Sequence, residues 1–138
     1  MDIDKYLENI SVLQTKLENK RYEYDMWYET AKGTSGRIDG ERVQSSGNQK
    51  KLENAVVKYT EIEKEIAAIE KEIGRFIEAI EKLPKKYYEI MHDLYIKGFS
   101  LNEIQSKYHK KKTWATTNHN KAKKELRKVL EKWNEGSL

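Results

Sequence analysis

The chain contains no cysteine, which excludes disulfides and thiolate metal sites. Proline occurs once, at position 84, and glycine only seven times in 138 residues. So few chain breakers favour long helices over a turn-rich β fold. No apolar run approaches the ~20 residues that a membrane-spanning helix needs. Residues 1–4, MDID, lack the basic start of a secretory signal. The expectation is a soluble cytoplasmic protein with no membrane partner. His92, His109 and His119 are the only histidines, and none stands four residues from another, so no metal is assigned. Ser45 and Ser46 lack the glycine-flanked turn and partnered base of a hydrolase nucleophile. The glycine-rich stretch around them lacks the Lys-Ser/Thr ending of a phosphate loop. The chain is therefore expected to be neither an enzyme nor a cofactor carrier.

What the sequence does have is charge, at 36% of residues, against 37% apolar. The net charge of +4 is unevenly spread. Residues 1–83 carry 14 Lys/Arg against 17 Asp/Glu, whereas residues 84–138 carry 13 against 6. Between positions 107 and 128 nine basic residues face a single acid, Glu125. A positive field confined to one end suits an anionic partner, nucleic acid first. Charge alone does not separate that reading from a solvated helix face.

Ile3, Tyr6, Ile10, Leu13, Leu17, Tyr24, Trp27 and Ala31 recur at alternating steps of three and four, broken at Lys20. This heptad pattern predicts a helix over 3–32 that packs on another helix. Residues 33–49, GTSGRIDGERVQSSGNQ, hold four of the seven glycines and are expected to be a loop. Arg37 and Arg42 within it are candidates for extra anion contacts, with a solvated loop as the plainer reading. From about residue 50 a second heptad seam runs through Leu52, Ala55, Tyr59, Ile62, Ile66, Ile69, Ile73, Phe76, Ile80 and Leu83. Each of its isoleucines contributes roughly 1.5–3 kcal/mol when buried, so the seam is not expected to stay in water. Either the first helix folds back on it as an antiparallel hairpin, or two chains pair through it, or both. The fold expected is all-α, with a helical hairpin or coiled coil over 1–83 that joins homo-oligomers, followed by a compact domain over 84–138.

Leu83-Pro84 should end the second helix, because proline disfavours helix at the residue before it. A third helix is expected over 85–97, burying Tyr88, Met91, Leu94 and Tyr95, with Gly98 as its stop. Ser100-Leu101-Asn102-Glu103 has the spacing of a capping box and should open a short helix over 101–108. His109-Lys110-Lys111 forms the next turn, and a final helix over 112–133 buries Ala115, His119, Ala122, Leu126, Val129 and Leu130. His119 is read as a buried, hydrogen-bonded residue, and Trp114 as packing beneath the helix rather than stacking on a sugar.

A short helix, a tight turn and a basic helix make a helix-turn-helix, whose second helix fits the major groove. The outward residues at its start are Lys112, Thr113, Thr116, Thr117 and Asn120. Threonine and asparagine can hydrogen-bond base edges, and these five are the candidate base readers. Lys110, Lys111, Lys121 and Lys124 are the candidate phosphate contacts.

The segment LPKKYYEIMHDLYIKGFSLNEIQSKYHKKKTWATTNHNKAKKEL resembles region four of bacterial sigma factors, with its Gly-Phe-Ser turn, Glu103-Ile104 and Ala122. That resemblance places Lys112, Thr113, Thr116 and Thr117 at base-contacting positions. It departs in the turn, where His109-Lys110-Lys111 replaces a glycine-containing sequence, and at Gln105, where alanine is usual. RVQSSG at 42–47, the heptad helix and His119 are similar to small phage and prophage regulators related in outline to the ArpU- and RinA-type activators of late genes. The resemblance implies sequence-specific binding of double-stranded DNA, transcriptional regulation, and a nucleoid location in a bacterial host. Two alternatives stay open. One is a DNA-recognition subunit of a phage packaging machine. The other is an adaptor that binds RNA polymerase.

Overall fold

The computed structural model describes residues 1–36 and 46–136. The protein is all-α. Five helices follow in order: α1 (Ile3–Gly36), α2 (Ser46–Ile80), α3 (Lys85–Tyr95), α4 (Leu101–Tyr108) and α5 (Lys112–Gly136). The stretch expected as a loop over 33–49 is entered from both sides, since α1 runs on to Gly36 and α2 begins at Ser46. Extending an existing helix adds one hydrogen bond per residue fixed, and each glycine detracts only about 1 kcal/mol from that. Residues 37–45, with Arg37, Arg42 and most of RVQSSG, lie outside the described residues, as do 137 and 138.

Two compact units result, and they do not divide at residue 83. One comprises residues 15–71 and the other residues 1–14 with 72–138. Within the first, α1 and α2 pair antiparallel. Lys20 reaches Glu65 at 2.7 Å and Arg21 reaches Glu70 at 2.8 Å. Further along α1, Tyr24 and Tyr28 both meet Tyr59, at centroid separations of 5.6 and 5.5 Å. Leu17, Ala31, Ala55 and Ile62 are buried along this pairing. Of the isoleucine seam, Ile62 and Ile73 are thus buried within the chain and Ile66 and Ile69 half-buried, and Lys20, the break in the α1 heptad, is neutralised by a glutamate.

The second unit holds the main core. Leu7 and Ile10 from α1, Phe76, Ala79 and Ile80 from α2, Leu83, Met91 from α3, and Ala122, Leu126 and Leu130 from α5 form one buried cluster. Leu7 lies off the heptad seam, yet it is only 2% exposed. At this end α1 must contact both α2 and α5, so a single a/d stripe is too narrow and a neighbouring position is recruited. The start of α1 is capped by Asp2, whose carboxylate accepts the Lys5 N–H at 3.1 Å.

The joints follow local chemistry. Helix α2 stops at Ile80, three residues before the expected end, and a turn carries the chain to Pro84, the residue before α3. Pro84 has no N–H to leave unpaired there. Helix α3 buries Ile90, Met91 and Asp93, while Tyr88, Leu94 and Tyr95 are half-buried. Gly98 then turns the chain with φ +77°. The capping box of α4 is complete: Glu103 N–H donates to Ser100 Oγ at 3.1 Å and Ser100 N–H to Glu103 Oε1 at 3.0 Å. Helix α4 ends in a Schellman arrangement, with Lys110 N–H donating to the Gln105 carbonyl at 2.9 Å. His109 takes the left-handed position, φ 54° and ψ 47°, that glycine ordinarily fills. The departure from the usual turn sequence therefore leaves a tight turn, at the expense of local strain on His109.

Two outcomes follow for stability. Phe76 is fully buried, so Phe76→Ala should lower the unfolding free energy by about 3–5 kcal/mol in a denaturant titration. His109→Gly should raise it by about 0.5–1 kcal/mol, because relief of the left-handed strain exceeds glycine's extra chain entropy.

Candidate nucleic-acid interface

Helix α5 has one buried and one open face. Ala115, Asn118, Ala122, Leu126 and Leu130 point inward, and the Asn118 side chain satisfies itself by donating to the Trp114 carbonyl at 2.9 Å. Thr113, Thr116, Thr117 and Asn120 are exposed, as are Lys110, Lys111, Lys112, Lys121 and Lys124. The candidate base readers and phosphate contacts thus share the open side of one helix and the turn that leads into it. Arg127 continues the same side, at the spacing Thr113, Thr117, Asn120, Lys124, Arg127. That helical periodicity was readable in the sequence, and Arg127 belongs with the set.

The cations on this surface fall into two groups. Lys123 pairs with Asp4 at 2.8 Å, Arg127 with Glu131 at 3.2 Å and Lys128 with Glu125 at 3.3 Å. Among the described residues, Lys110, Lys111, Lys112, Lys121 and Lys124 form no ion pair. Three of these five stand at the start of α5, where the helix dipole is positive and the first turn contains no acid. A cation in that position is unfavourable by typically ~0.3–1 kcal/mol. The sequence thus concentrates positive charge where the helix itself resists it.

The turn before α5 is braced from below. Trp114 is half-buried, with its ring 5.6 Å from that of Tyr108 and the Lys110 ammonium 5.8 Å above it. Tyr108 donates its hydroxyl to Asp93 Oδ2 at 2.9 Å. Asp93, 1% exposed, also accepts from Lys107 at 2.8 and 3.0 Å and pairs with Lys97 at 3.4 Å. Burial works to raise the Asp93 pKa, but the hydrogen bonds from Lys107 and Tyr108, with Lys97 behind them, outweigh it and hold the carboxyl below its ordinary value. Burial, and then Asp93 itself, push the Tyr108 hydroxyl well above its ordinary value. Asp93 was not among the residues singled out from sequence. An isolated aspartate in an amphipathic helix gives no sign that lysines 4 and 14 positions later will converge on it.

On the other flank, the Tyr95 hydroxyl and His119 Nε2 share a hydrogen bond of 2.8 Å. Burial lowers the His119 pKa and raises that of Tyr95 to about 12, so both are neutral at pH 7. His119 is thus hydrogen-bonded on the inward side of α5. Gln105, where a small residue had been usual, is half-buried and turns along its own helix to donate to Asn102 Oδ1 at 3.3 Å.

Among the described residues no group of three or more His, Asp or Glu side chains gathers as a metal site, and no helix is long and apolar enough to cross a membrane. Comparison with family models, curated proteins and solved structures returns no match.

The two buried groups set the acid response. His119 has a folded pKa below its unfolded value of 6.5, so stability should fall as pH drops below 6.5. The Asp93 contribution is complete above 3.8 and lost as pH falls from there through the lowered folded value. Asp93→Asn should weaken the fold by about 1–3 kcal/mol at pH 7 and flatten the lower of the two acid steps, measured by urea titration across pH.

Proposed function

We propose that this protein binds double-stranded DNA in a sequence-specific way, with α5 in the major groove and α4 lying across its approach as a helix-turn-helix. The observation that carries this reading is the sorting of cations on α5. Among the described residues, the lysines that flank exposed Thr113, Thr116, Thr117 and Asn120 have no acidic partner, while Lys123, Arg127 and Lys128 on the same helix do. An anion with closely spaced charges would satisfy such a surface, and the phosphates that flank a duplex groove are such an anion. The groove width admits a helix, and the hydroxyl and amide groups between the lysines suit base edges. A regulatory role in transcription, as the resemblance to sigma region four and to phage late regulators implies, is the reading we favour for this binding.

Homo-oligomer formation through the long helices belongs to the same proposal. With α1 lying along the isoleucine seam, the exposed apolar side chains available to a second copy on the described parts of the long helices are Val12, Tyr22, Met26, Tyr28, Val56 and Val57. A mass measurement in solution tests that part: a monomer at all concentrations refutes it.

Duplex affinity should fall with salt at a log–log slope of about −4.5, from roughly 0.9 for each of five unpaired lysines. Lys121→Ala should reduce the slope by about 0.9 and weaken all sequences alike. Thr113→Ala with Asn120→Ala should instead leave the slope unchanged. It should lower discrimination for a selected site by about 1–3 kcal/mol per base pair read. Fluorescence anisotropy on selected and random duplexes separates these effects. If Lys112→Ala with Thr116→Ala leaves binding to the selected site unchanged, the reading face is misassigned.

A further inference from the structure

Beside the open face of α5 a groove is lined by Ile3, Asp4, Thr117, Asn120, Lys121, Lys123, Lys124 and Arg127. Four of these, Thr117, Asn120, Lys121 and Lys124, are residues to which DNA contacts are assigned above. Asp4 shares the groove with them. Its side chain is 74% exposed, and it holds the Lys123 ammonium at 2.8 Å, leaving Lys123 only 22% exposed. The pairing spans 119 positions in sequence, and no pattern along the chain suggests it.

We propose that Asp4 sets the affinity of this surface for duplex DNA by occupying Lys123, a further phosphate-contacting cation, and by placing a negative charge where a phosphate would enter. This rests on the DNA-binding reading above. Lys123 lies one residue from Lys124 and three from Asn120, on the same helix. A phosphate in the groove must therefore compete with the carboxylate for the same ammonium. The two anions cannot both sit against it without repelling each other. An exposed ion pair is weak, so the competition is decided by modest changes in charge and by salt. Asp4 is already favoured as the anion, since its hydrogen bond from Lys123 lowers its pKa. The arrangement keeps the wild-type surface below the affinity its lysines alone would give, because the carboxylate repels any phosphate that is not held by further contacts. It also fits the position of Asp4 in the first turn of α1, where a carboxylate is favourable to the helix whether or not DNA is present.

The test uses the full chain, a fluorescein-labelled random 25-base-pair duplex and anisotropy from 50 to 300 mM KCl. Asp4→Asn, which keeps an oxygen for Lys123 and removes the charge, should tighten binding roughly three- to fivefold at the lowest salt. It should also steepen the salt slope by about 0.9 as Lys123 takes up a phosphate. Adding Lys123→Gln to Asp4→Asn should abolish both gains, while Lys123→Gln alone should weaken binding, because it leaves the Asp4 charge in the groove without its partner. Thermal unfolding of each variant checks that the fold is intact. If the wild type binds the duplex and Asp4→Asn binds no tighter, this proposal is wrong and the DNA-binding reading stands. A gain that persists in the double variant removes Lys123 from the account and overturns the proposal as stated. If neither wild type nor Asp4→Asn binds duplex at 50 mM KCl, the DNA-binding reading itself fails, and this proposal with it.

Discussion

Ala122, Leu126 and Leu130 share one core with Leu7, Ile10, Phe76 and Ile80, and this packing fixes the rotation of α5 about its own axis. A helix shows about 100° of turn per residue, so burying this stripe decides which side chains meet water. Thr113, Thr117, Asn120 and Lys124 are exposed because Ala115, Ala122 and Leu126 are not. The long helices therefore do more than pair with each other. Their ends, with α3, form the seat on which α5 rests, and the proposed reading face exists as a surface only while that seat holds.

Much of the fold could be read in advance because its signals are local. The heptads of α1 and α2, the Ser100–Glu103 box and the Gly98 stop each depend on residues within a few positions, and each appears in the structure. The extent of the loop was harder to read, since glycines at helix ends weaken a helix without forbidding it. Burial of Leu7 and Ile90 was missed for another reason. A period-based reading assigns each helix one partner, whereas these positions are buried because their helices have more than one.

The candidate site divides along the same line. Exposure of the threonines and lysines on α5 follows from helical spacing and was legible. The Asp93 hub was not, because it joins α3 to Lys107 and Tyr108 on α4 through side-chain reach. The Asp4–Lys123 pair was less legible still. A charge census counts both residues as solvated, and only the tertiary fold brings them to 2.8 Å. Long-range polar contacts are where sequence reading stops here, and they are also what tunes and braces the surface whose composition it identified.

The unit that carries α5 is built from two stretches of chain, residues 1–14 and residues 72–138. The intervening 57 residues form a unit of their own, contiguous in sequence. During synthesis the contiguous unit has all its parts first, and its antiparallel closure brings the first and third stretches within reach, shortening the loop that remains to be closed. Leu7, Ile10 and Phe76 must nevertheless wait for Leu126 and Leu130 to be made. Until then their apolar surfaces are open on the nascent chain, and the basic helix has nothing to orient it. The order of translation thus makes the last helix both the final piece of the core and the step that completes the surface.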